Sequence, residues 1–417
     1  MTPRPRLLAL MGSGETAPTM ARVHRLLVER LGPRPVDAVL LDTPYGFQEN
    51  AEEISRRAVG YFSRHLGIGL RVLSWRSPRD DLWPREQVLA QVRGADLVFA
   101  GPGSPTYALR VWKDGGLCDA LADTLACGGC VTFGSAAAAS LGSAVVPVYE
   151  IYKVGADPHW VEGLDLLGVL GLRAAVIPHY DNTEGGTHDT RFCYLGERRL
   201  QVMEAMLDAT TCVLGIDEHT AGVFDLDADT LTVLGRGGVT VRNHGMSTVF
   251  GTGSTVGMGQ LRAAAVGDGS GGGTDRVSGV DPGGRVVPSL RAEMQRLEGA
   301  FDAGLRCRDV EAAVSAVLEL EQAIVDWAAD AEEEDGPGAP RAALRRMVLK
   351  LGELAAVGVR DPAEVVAPFV ELLVELRDRA RAQRWWSLAD ELRERLTTAG
   401  ITVRDTPAGT VWELTSH

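Results

Sequence analysis

The feature that most constrains the fold is a regular alternation of short apolar runs with helical patterns over residues 1–250. Strands that alternate with helices predict a mostly parallel sheet with helices on both faces, that is, a doubly wound α/β domain. Hydrophobic residues make up 45% of the chain, which is enough to fill such a core. The predicted strands are 6–11, 37–42, 70–75, 96–100, 130–134 and 174–178, and the predicted helices are 17–31, 49–66, 85–93, 104–126 and 197–207.

Composition excludes several other classes of protein. The chain has 42 basic and 56 acidic residues, so bulk charge argues against nonspecific binding of nucleic acid. The 6 cysteines are too few and too scattered for a disulfide framework. No apolar run reaches the length of about 18 residues that a membrane crossing needs. The apolar stretch near the start is too short for a signal peptide, so we expect a cytoplasmic protein without membrane association.

Glycine-rich composition marks a boundary in the chain. Glycine dominates from Gly251 to about residue 284, and such a segment buries too little apolar surface to offset its ordering entropy. Beyond it the apolar residues recur at three- and four-residue spacing, as in a helical bundle. The predicted domains are an α/β domain over 1–250, a flexible linker over 251–286 and a small all-α bundle over 287–417.

A serine follows one of the predicted strands on a turn that leads into a helix. In open α/β sheets ligands bind at the carboxyl ends of the strands, and Ser135 in CVTFGSAAAASLG stands at such an end. A serine on a sharp strand-to-helix turn exposes its hydroxyl as a nucleophile, and a helix N-cap is the alternative use. The amides of Gly103, Ser104 and Ala136 could form an oxyanion hole, or the glycines could serve a tight turn.

A general base and an acid are also available at this edge. His179 in IPHYD comes just after a predicted strand, where a base for the serine should stand. A serine nucleophile needs a base, and the base needs a carboxylate to fix its tautomer. The residues alone leave three candidates for that carboxylate, namely Glu150, Asp217 and Glu218.

These motifs resemble the cyanophycinase and peptidase E family of serine peptidases, which have a class I glutamine amidotransferase-like fold. Its oxyanion turn is similar to Gly101-Pro102-Gly103-Ser104-Pro105-Thr106, and its nucleophile turn is similar to Phe133-Gly134-Ser135-Ala136-Ala137-Ala138. The resemblance implies a catalytic triad of Ser135, His179 and Glu150. It further implies hydrolysis of a small or peptide-like substrate by a peptidase or amidase, with GIDEHTAG beside the site. For substrate binding we expect Asp181, Arg191, Asp217 and Glu218.

Departures from the family pattern keep a second interpretation open. Phe133 stands where the family has glycine, which allows a catalytically inactive homologue. The alternating arginines by which cyanophycinases grip their polymer are not reproduced after His179, so cyanophycin is not expected as the substrate.

Three other motifs suggest different chemistry. LMGSGETA after the first strand fits a dinucleotide-binding turn, but Asp42 lies further along the chain than such folds place it. Cys127 and Cys130 have the spacing of a redox or metal pair, and no second pair completes a zinc site. His179, Asp181, His188 and Asp189 could bind a metal, although their spacing favours no single geometry. We expect neither a cofactor nor a metal.

The end of the chain resembles the C-terminal domain of cysteinyl-tRNA synthetases. The resemblance implies a tRNA partner, with Arg381, Arg384 and Arg393 as candidate contacts, although the region is acidic overall. The synthetase signatures for ATP are absent, so we expect no aminoacylation. The sequence leaves three functions open for this region, namely a protein-contact bundle, an RNA-binding adaptor and the tRNA-binding part of an ester hydrolase. It is also compatible with a homo-oligomer. The matched positions are Arg377, Ala380, Arg381, Ala389, Asp390, Leu392, Arg393, Leu396, Gly400, Ile401, Asp405, Thr406, Pro407, Gly409, Thr410 and Trp412.

Overall fold

The structure is a computed structural model that describes residues 4–33, 35–77, 85–183, 188–267, 289–307, 309–327, 338–358, 362–407 and 409–415. Contacts within the chain divide it into two compact units, Met1–Arg341 and Ala342–His417. None of the helices in the described ranges combines the length and the apolar character that a membrane crossing requires.

The described residues form the following elements. The strands are β1 Leu7–Met11, β2 Ala38–Leu41, β3 Leu70–Leu73, β4 Leu97–Ala100, β5 Cys130–Gly134, β6 Ala144–Val145, β7 Val161–Glu162, β8 Ala174–Ile177, β9 Cys212–Ile216, β10 Thr220–Asp225, β11 Thr230–Gly235, β12 Gly238–Asn243, β13 Met246–Gly251, β14 Thr255–Gly257, β15 Ile401–Thr406 and β16 Gly409–Leu414. The α-helices are α1 Ala21–Leu31, α2 Ala51–Leu66, α3 Arg85–Gly94, α4 Pro105–Trp112, α5 Leu117–Ala126, α6 Ser135–Ser140, α7 Gly196–Glu204, α8 Met258–Val266, α9 Leu290–Cys307, α10 Val310–Trp327, α11 Gly338–Gly358, α12 Pro362–Ala382 and α13 Trp386–Thr398.

The first sheet confirms the predicted α/β class and has a parallel half and an antiparallel half. Its strand order is β14-β11-β10-β1-β5-β4-β2-β3. Strands β1 to β5 pair in parallel, whereas β10, β11 and β14 pair antiparallel. Four of its seven strand pairs are parallel, so the sheet is mostly parallel as predicted, and the antiparallel part makes it a mixed sheet. The cause is local, because β10 and β11 are joined by only a short turn, which permits an antiparallel hairpin and no helical crossover.

The parallel half is buried on both faces, as its continuous apolar runs predict. Alternate residues of β1 point to opposite sides, so that Leu8 and Leu10 join one core cluster while Leu7, Ala9 and Met11 join the other. Helices α3, α4 and α5 contribute to the first cluster, and α1 and α2 contribute to the second. This two-sided covering is the doubly wound arrangement.

A second sheet, with the order β13-β12-β9-β8-β6-β7, lies in the same unit and is also mixed. Its strands β8 and β9 are parallel neighbours, with Ile177 opposite Gly215. Their carboxyl ends therefore lie side by side. In the first sheet, β1 and β5 are likewise parallel neighbours, with Met11 opposite Gly134. The turns after these four strands carry the groups of the candidate site.

The start of the predicted linker is ordered secondary structure, which corrects the boundary at residue 250. Residues 251–266 include β14, which pairs with β11, and α8, whose Met258, Leu261 and Ala265 are buried in the core of the unit. Asn243 also donates to the carbonyl of Ala265 (2.6 Å). The apolar spacing of α8 outweighs the glycine content on either side of it. Residues 268–288, the rest of the predicted linker, lie outside the described residues.

The C-terminal part differs from an all-α bundle in two ways. Helices α9 and α10 fall within the first unit, and the division comes inside α11, between Arg341 and Ala342, rather than at residue 287. The second unit also contains the β15–β16 hairpin. Alternation along β15 buries Ile401 and Val403 against Val370 and Val374 of α12, which explains why these residues form a strand.

Candidate active site

Ser135 stands at the point where β5 turns into α6. Its φ is 48°, a left-handed conformation that is strained for any residue with a side chain. The residue before it is Gly134, and because a Cβ there would lie 2.9 Å from the Glu15 carboxyl carbon, a larger residue would require the Glu15 side chain to shift. Glu15, from the turn after β1, is itself buried and fills the space beneath the serine turn. A sharp turn of this kind is what exposes a nucleophilic hydroxyl.

His179 lies after β8 and faces the serine. Its Nε2 is 3.0 Å from Ser135 Oγ, and its amide donates to the carbonyl of Gly12 (3.3 Å). The φ of His179 is 49°, so this turn is also held in a left-handed conformation. The structure thus brings together the two residues that the sequence singled out as nucleophile and base.

Glu218, after β9, is the carboxylate that contacts His179. Its Oε1 lies 3.0 Å from His179 Nδ1. The same oxygen accepts a hydrogen bond from Nδ2 of Asn182 (2.9 Å), a fully buried side chain that the sequence analysis missed. The sequence feature that could have identified Asn182 is its position three residues after His179, in the HYDN turn. The amide of Glu218 in turn donates to Asp181 Oδ1 (2.7 Å), which ties the two turns together.

Electrostatics keep Glu218 charged in this setting. Burial by itself would raise the pKa of Glu218, but the hydrogen bond and charge of His179 and the bond from Asn182 outweigh burial and hold its pKa below the usual value. Burial raises the pKa of Asp181. An ionised Glu218 only accepts hydrogen bonds, so Nδ1 of His179 carries the proton in their contact. Nε2 is then the acceptor for the Ser135 hydroxyl.

The expectation that Glu150 orients His179 is wrong. Glu150 accepts a hydrogen bond from Thr106 Oγ1 (2.8 Å) at the start of α4, and it lines a neighbouring pocket. The reason is topological: Glu150 follows the short strand β6, whereas the turn after β9 lies beside the His179 turn because β8 and β9 are paired. Glu218 was among the alternatives for the acid, and it was expected to bind substrate instead.

The two turns proposed for the oxyanion hole are close to the serine, with one correction. Gly103 and Ala136 line the same pocket as Ser135 and His179. The amide of Ser104 donates instead to the carbonyl of Pro44 (2.8 Å), and its hydroxyl caps α4 by accepting from the amide of Tyr107. Ser104 therefore has no amide to offer an oxyanion. The φ of Gly103 is 136° and a Cβ there would lie 2.1 Å from Pro44 O, so only glycine fits.

The other residues expected to bind substrate have internal partners. Asp181 holds the Glu218 amide, as described. Asp217 Oδ2 accepts from the amide of Gly238 (2.7 Å) at the start of β12. Arg191 forms a two-pronged ion pair with Asp189 (2.9 Å) and lies over the ring of Phe192. These contacts give Asp217 and Arg191 structural roles.

The pocket at the serine has a volume of about 180 Å³. Tyrosine and apolar side chains form much of its wall, including Tyr45, Tyr152 and Tyr194, and Lys153 also lines it. Phe133 does not line the pocket, because its side chain is fully buried in the core, where it packs against Trp112. The departure from the family's glycine therefore leaves the space in front of Ser135 unobstructed.

The competing motifs of the sequence have structural explanations. The MGSGET turn is covered by the chain itself: a Cβ on Gly12 would lie 2.1 Å from the Asp217 carbonyl, and Ser13 Oγ accepts from the amide of His219 (3.2 Å). Cys130 is buried in β5 and Cys127 is exposed after α5, and both are free thiols. Within the described residues no three or more potential metal ligands cluster.

In the second unit, an ion-pair network uses part of the expected RNA surface. Arg377 is buried and forms a bidentate pair with Asp405 (2.9 Å for each bond). Arg381 also pairs with Asp405, so part of its charge is engaged within the unit, and its contact with RNA stays a prediction. The bonds from Arg377 hold the pKa of Asp405 well below its usual range. Arg384 and Arg393 are exposed.

Comparison with known proteins gives a match for this C-terminal segment. Residues 367–412 match the family model described as the cysteinyl-tRNA ligase anticodon binding domain. A cysteine–tRNA ligase of Dehalococcoides mccartyi is 51% identical over 49 residues, which are 12% of this chain and 11% of that protein. One of Tolumonas auensis is 47% identical over 58 residues, 14% of this chain and 11% of that protein. The chain thus spans about a tenth of the length of these curated relatives.

Among solved structures, the chain is similar to two described as peptidases. A crystal structure of a peptidase from an acI-B1 Actinobacterium has a TM-score of 0.49 and 22% identity, over 61% of this chain and 97% of that one. A putative peptidase E protein from Listeria monocytogenes EGD-e has a TM-score of 0.39 and 15% identity, over 55% of this chain and 98% of that one. The chain therefore contains an α/β unit with mixed sheets and, later in the sequence, a segment that matches the anticodon binding domain.

Proposed function

We propose that the α/β unit is a serine hydrolase that acts on an amide or ester of a small or peptide-like substrate. The observation that carries the proposal is the chain of two 3.0 Å contacts from Ser135 Oγ to His179 Nε2 and from His179 Nδ1 to Glu218 Oε1. Nucleophile, base and orienting acid in this order are the arrangement by which a neutral hydroxyl is activated.

Each group has a defined step in this reaction. Ser135 Oγ attacks the carbonyl carbon while its proton passes to His179 Nε2, and the negative charge of Glu218 stabilises the imidazolium that results. The amides of Gly103 and Ala136 donate to the oxyanion. His179 then gives the proton to the leaving amine or alcohol. Water attacks the acyl carbon while His179 Nε2 takes its proton, and the proton passes to Ser135 Oγ as the acid product leaves.

A fluorophosphonate probe tests the nucleophile directly. We expect the full chain to be labelled on Ser135 and the Ser135→Ala variant to remain unlabelled. Labelling that persists in Ser135→Ala would overturn the assignment. Absence of labelling in the wild-type chain, together with no hydrolysis across a dipeptide library, would favour the inactive homologue instead.

For the second unit we propose contact with tRNA. The observation that favours it is the match of residues 367–412 to an anticodon binding domain. Exposed Arg384 lies next to Trp385 and Trp386, whose side chains are 58% and 57% exposed, so a cation and two stacking surfaces share one turn. Because the same chain carries the serine site, bound tRNA would be held at high local concentration near the hydrolase and would direct it to aminoacyl or peptidyl esters.

An electrophoretic shift with bulk and cysteine-specific tRNA at low salt tests this second proposal. We expect the full chain to shift tRNA and Arg384→Gln with Arg393→Gln to weaken the shift at least about tenfold. No shift by the wild-type chain, or an equal shift by the double variant, would leave the unit as a protein-contact module.

A further inference from the structure

The turn that carries Glu218, between β9 and β10, is fixed in part by the segment that follows β1. His219, the next residue, has a φ of 50°, a left-handed conformation that is strained for a residue with a side chain. Its amide donates to Ser13 Oγ (3.2 Å), and its Nδ1 lies 2.9 Å from Oγ1 of Thr19. A strained conformation persists only where its surroundings fix it, so the contacts of His219 help to define the path of the turn.

Helix α10 also contacts this turn. The indole of Trp327, at the end of the helix, meets the imidazole of His219 edge-on, with 5.6 Å between the ring centroids and 75° between the planes. Trp327 is only 5% exposed. Burial lowers the pKa of His65, near the end of α2, and the charge of Asp326 opposes that shift. The last turn of α10 therefore interacts with the α/β part of its unit at two places, and one of them adjoins Glu218.

Helices α9 and α10 form a hairpin that supports Trp327. They approach so closely that a Cβ on Gly304 of α9 would lie 2.9 Å from the Ala313 amide nitrogen of α10. Arg296 of α9 pairs with Glu319 of α10 (3.0 Å). Trp327 thus extends from a packed pair of helices, which can restrain the turn that it contacts. The buried apolar residues of the pair are Leu290, Leu297 and Phe301 on α9 and Ala313, Ala316, Leu320 and Ile324 on α10.

A small displacement of the turn would weaken the triad. The 3.0 Å contact of Glu218 Oε1 with His179 Nδ1 depends on where the backbone of Glu218 lies, and His219 is the next residue of that backbone. Misplacement of a catalytic group by about 1 Å can lower a rate by about 100-fold. Trp327 is not among the residues that line the pocket at Ser135, so its influence on the reaction passes through His219.

We propose that Trp327 is a positioning residue for the acid of the triad, and that the α9–α10 hairpin belongs to the working hydrolase although it follows the predicted linker. The proposal rests on the proposed hydrolase function, because Glu218 is the acid of that reaction. By restraining His219, Trp327 keeps Glu218 Oε1 at hydrogen-bond distance from His179 Nδ1. Trp327 contacts no substrate and takes no part in proton transfer.

Trp327→Leu in the full chain tests the proposal, since leucine keeps an apolar side chain in place and removes the ring that meets His219. With the best substrate from a dipeptide library, we expect kcat to fall at least about tenfold while KM changes less than about twofold. Trp327→Phe keeps a ring and should stay within about threefold of the wild type. Trp412→Leu makes the same change at a half-buried tryptophan of the second unit, and as the matched control it should keep the wild-type kcat.

The contact of the acid can also be followed without turnover. The proton on His179 Nδ1, held in the hydrogen bond to Glu218, gives a downfield NMR signal as long as its exchange with water is slow, and His179→Gln identifies the signal by its loss. We expect Trp327→Leu to weaken or abolish this signal through faster exchange, and Trp412→Leu to leave it unchanged. A purely structural role of Trp327 would not alter the signal in the folded protein.

A wild-type kcat in Trp327→Leu, a change confined to KM, or an equal loss in Trp412→Leu would overturn the proposal. If Trp327→Leu fails to fold, His219→Ala removes the same contact from the other side, and a wild-type kcat in that variant would be equally decisive. Fluorophosphonate labelling of Ser135 with an unchanged signal in Trp327→Leu would retain the hydrolase and reject the positioning role. A signal that depends on Trp327 in a chain that is not labelled would do the reverse.

Discussion

Two glutamates lie near the candidate site, and their contacts assign them different roles. Glu218 bonds His179, whereas Glu150 bonds Thr106. We expect Glu218→Gln to lower kcat/KM by about 10³- to 10⁴-fold, because an amide neither stabilises the imidazolium nor enforces the proton on Nδ1. Hydrolysis of the best substrate from the dipeptide library, at saturating and limiting concentrations, measures this loss. Glu52→Gln serves as the control, and an equal loss in that variant would contradict the assignment of the acid.

A buried histidine makes the fold sensitive to acid. His24 is fully buried among Tyr61, Phe62 and Phe99, and burial lowers its pKa to about 4. Nε2 donates to the Glu15 carbonyl (2.7 Å), so a proton added to Nδ1 would be buried with no acceptor among the described residues. The folded pKa is below the unfolded one. The stability that the neutral His24 contributes is therefore complete above pH 6.5 and is lost as the pH falls towards 4.

We expect His24→Gln to lose less stability than the wild type between pH 7 and pH 4.5, by about 2–3 kcal/mol in the free energy of unfolding. Glutamine can keep the donor to the Glu15 carbonyl and does not titrate. Urea unfolding of both proteins at a series of pH values measures the difference. Parallel curves for the two proteins would show that His24 does not set the acid sensitivity.

At the scale of elements, helix α8 belongs to the core of the α/β unit. Leu261 is fully buried, and Val266 on the same helix is 70% exposed. We expect Leu261→Ala to lower the free energy of unfolding by about 2–4 kcal/mol and Val266→Ala to change it by less than about 0.5 kcal/mol. Chemical denaturation of the full chain measures both. Equal small effects would mean that α8 does not pack as described.

The predictability of the elements followed the density of apolar residues. Strands β1 to β5 and β8 were predicted because each is a continuous apolar run with a helical pattern beside it. Strands β9 to β14 were not predicted. In β10 to β13 threonine, glycine or charged residues interrupt the apolar residues, whereas β9 is apolar and was missed although it pairs in parallel with β8. In the site, Ser135 and His179 could be predicted from their places after strands. The choice between Glu150 and Glu218 required the pairing of β8 with β9, a long-range contact that one sequence does not encode locally.

At the scale of the whole molecule, the proposed contact with tRNA requires a local patch of cations, because the chain is acidic. The net charge is −14, so any contact with phosphate depends on few cations and is opposed by the rest of the surface. We expect the logarithm of the tRNA affinity to fall linearly with the logarithm of salt concentration, with a slope that decreases by about 1 when Arg384 is replaced by Gln. Titrations at several salt concentrations measure the slope. Arg71→Gln in the first unit is the control, and an equal change there would refute the local patch.

The strained turn at Ser135 sets stability against activity. At a φ of 48° an alanine costs about 1 kcal/mol that a glycine does not, so Ser135→Gly should be more stable than Ser135→Ala by roughly that amount, although neither can react. Thermal unfolding of the two variants compares them. The serine is therefore kept at this position at a cost in stability because the reaction needs its hydroxyl. Selection for stability alone would replace it by glycine.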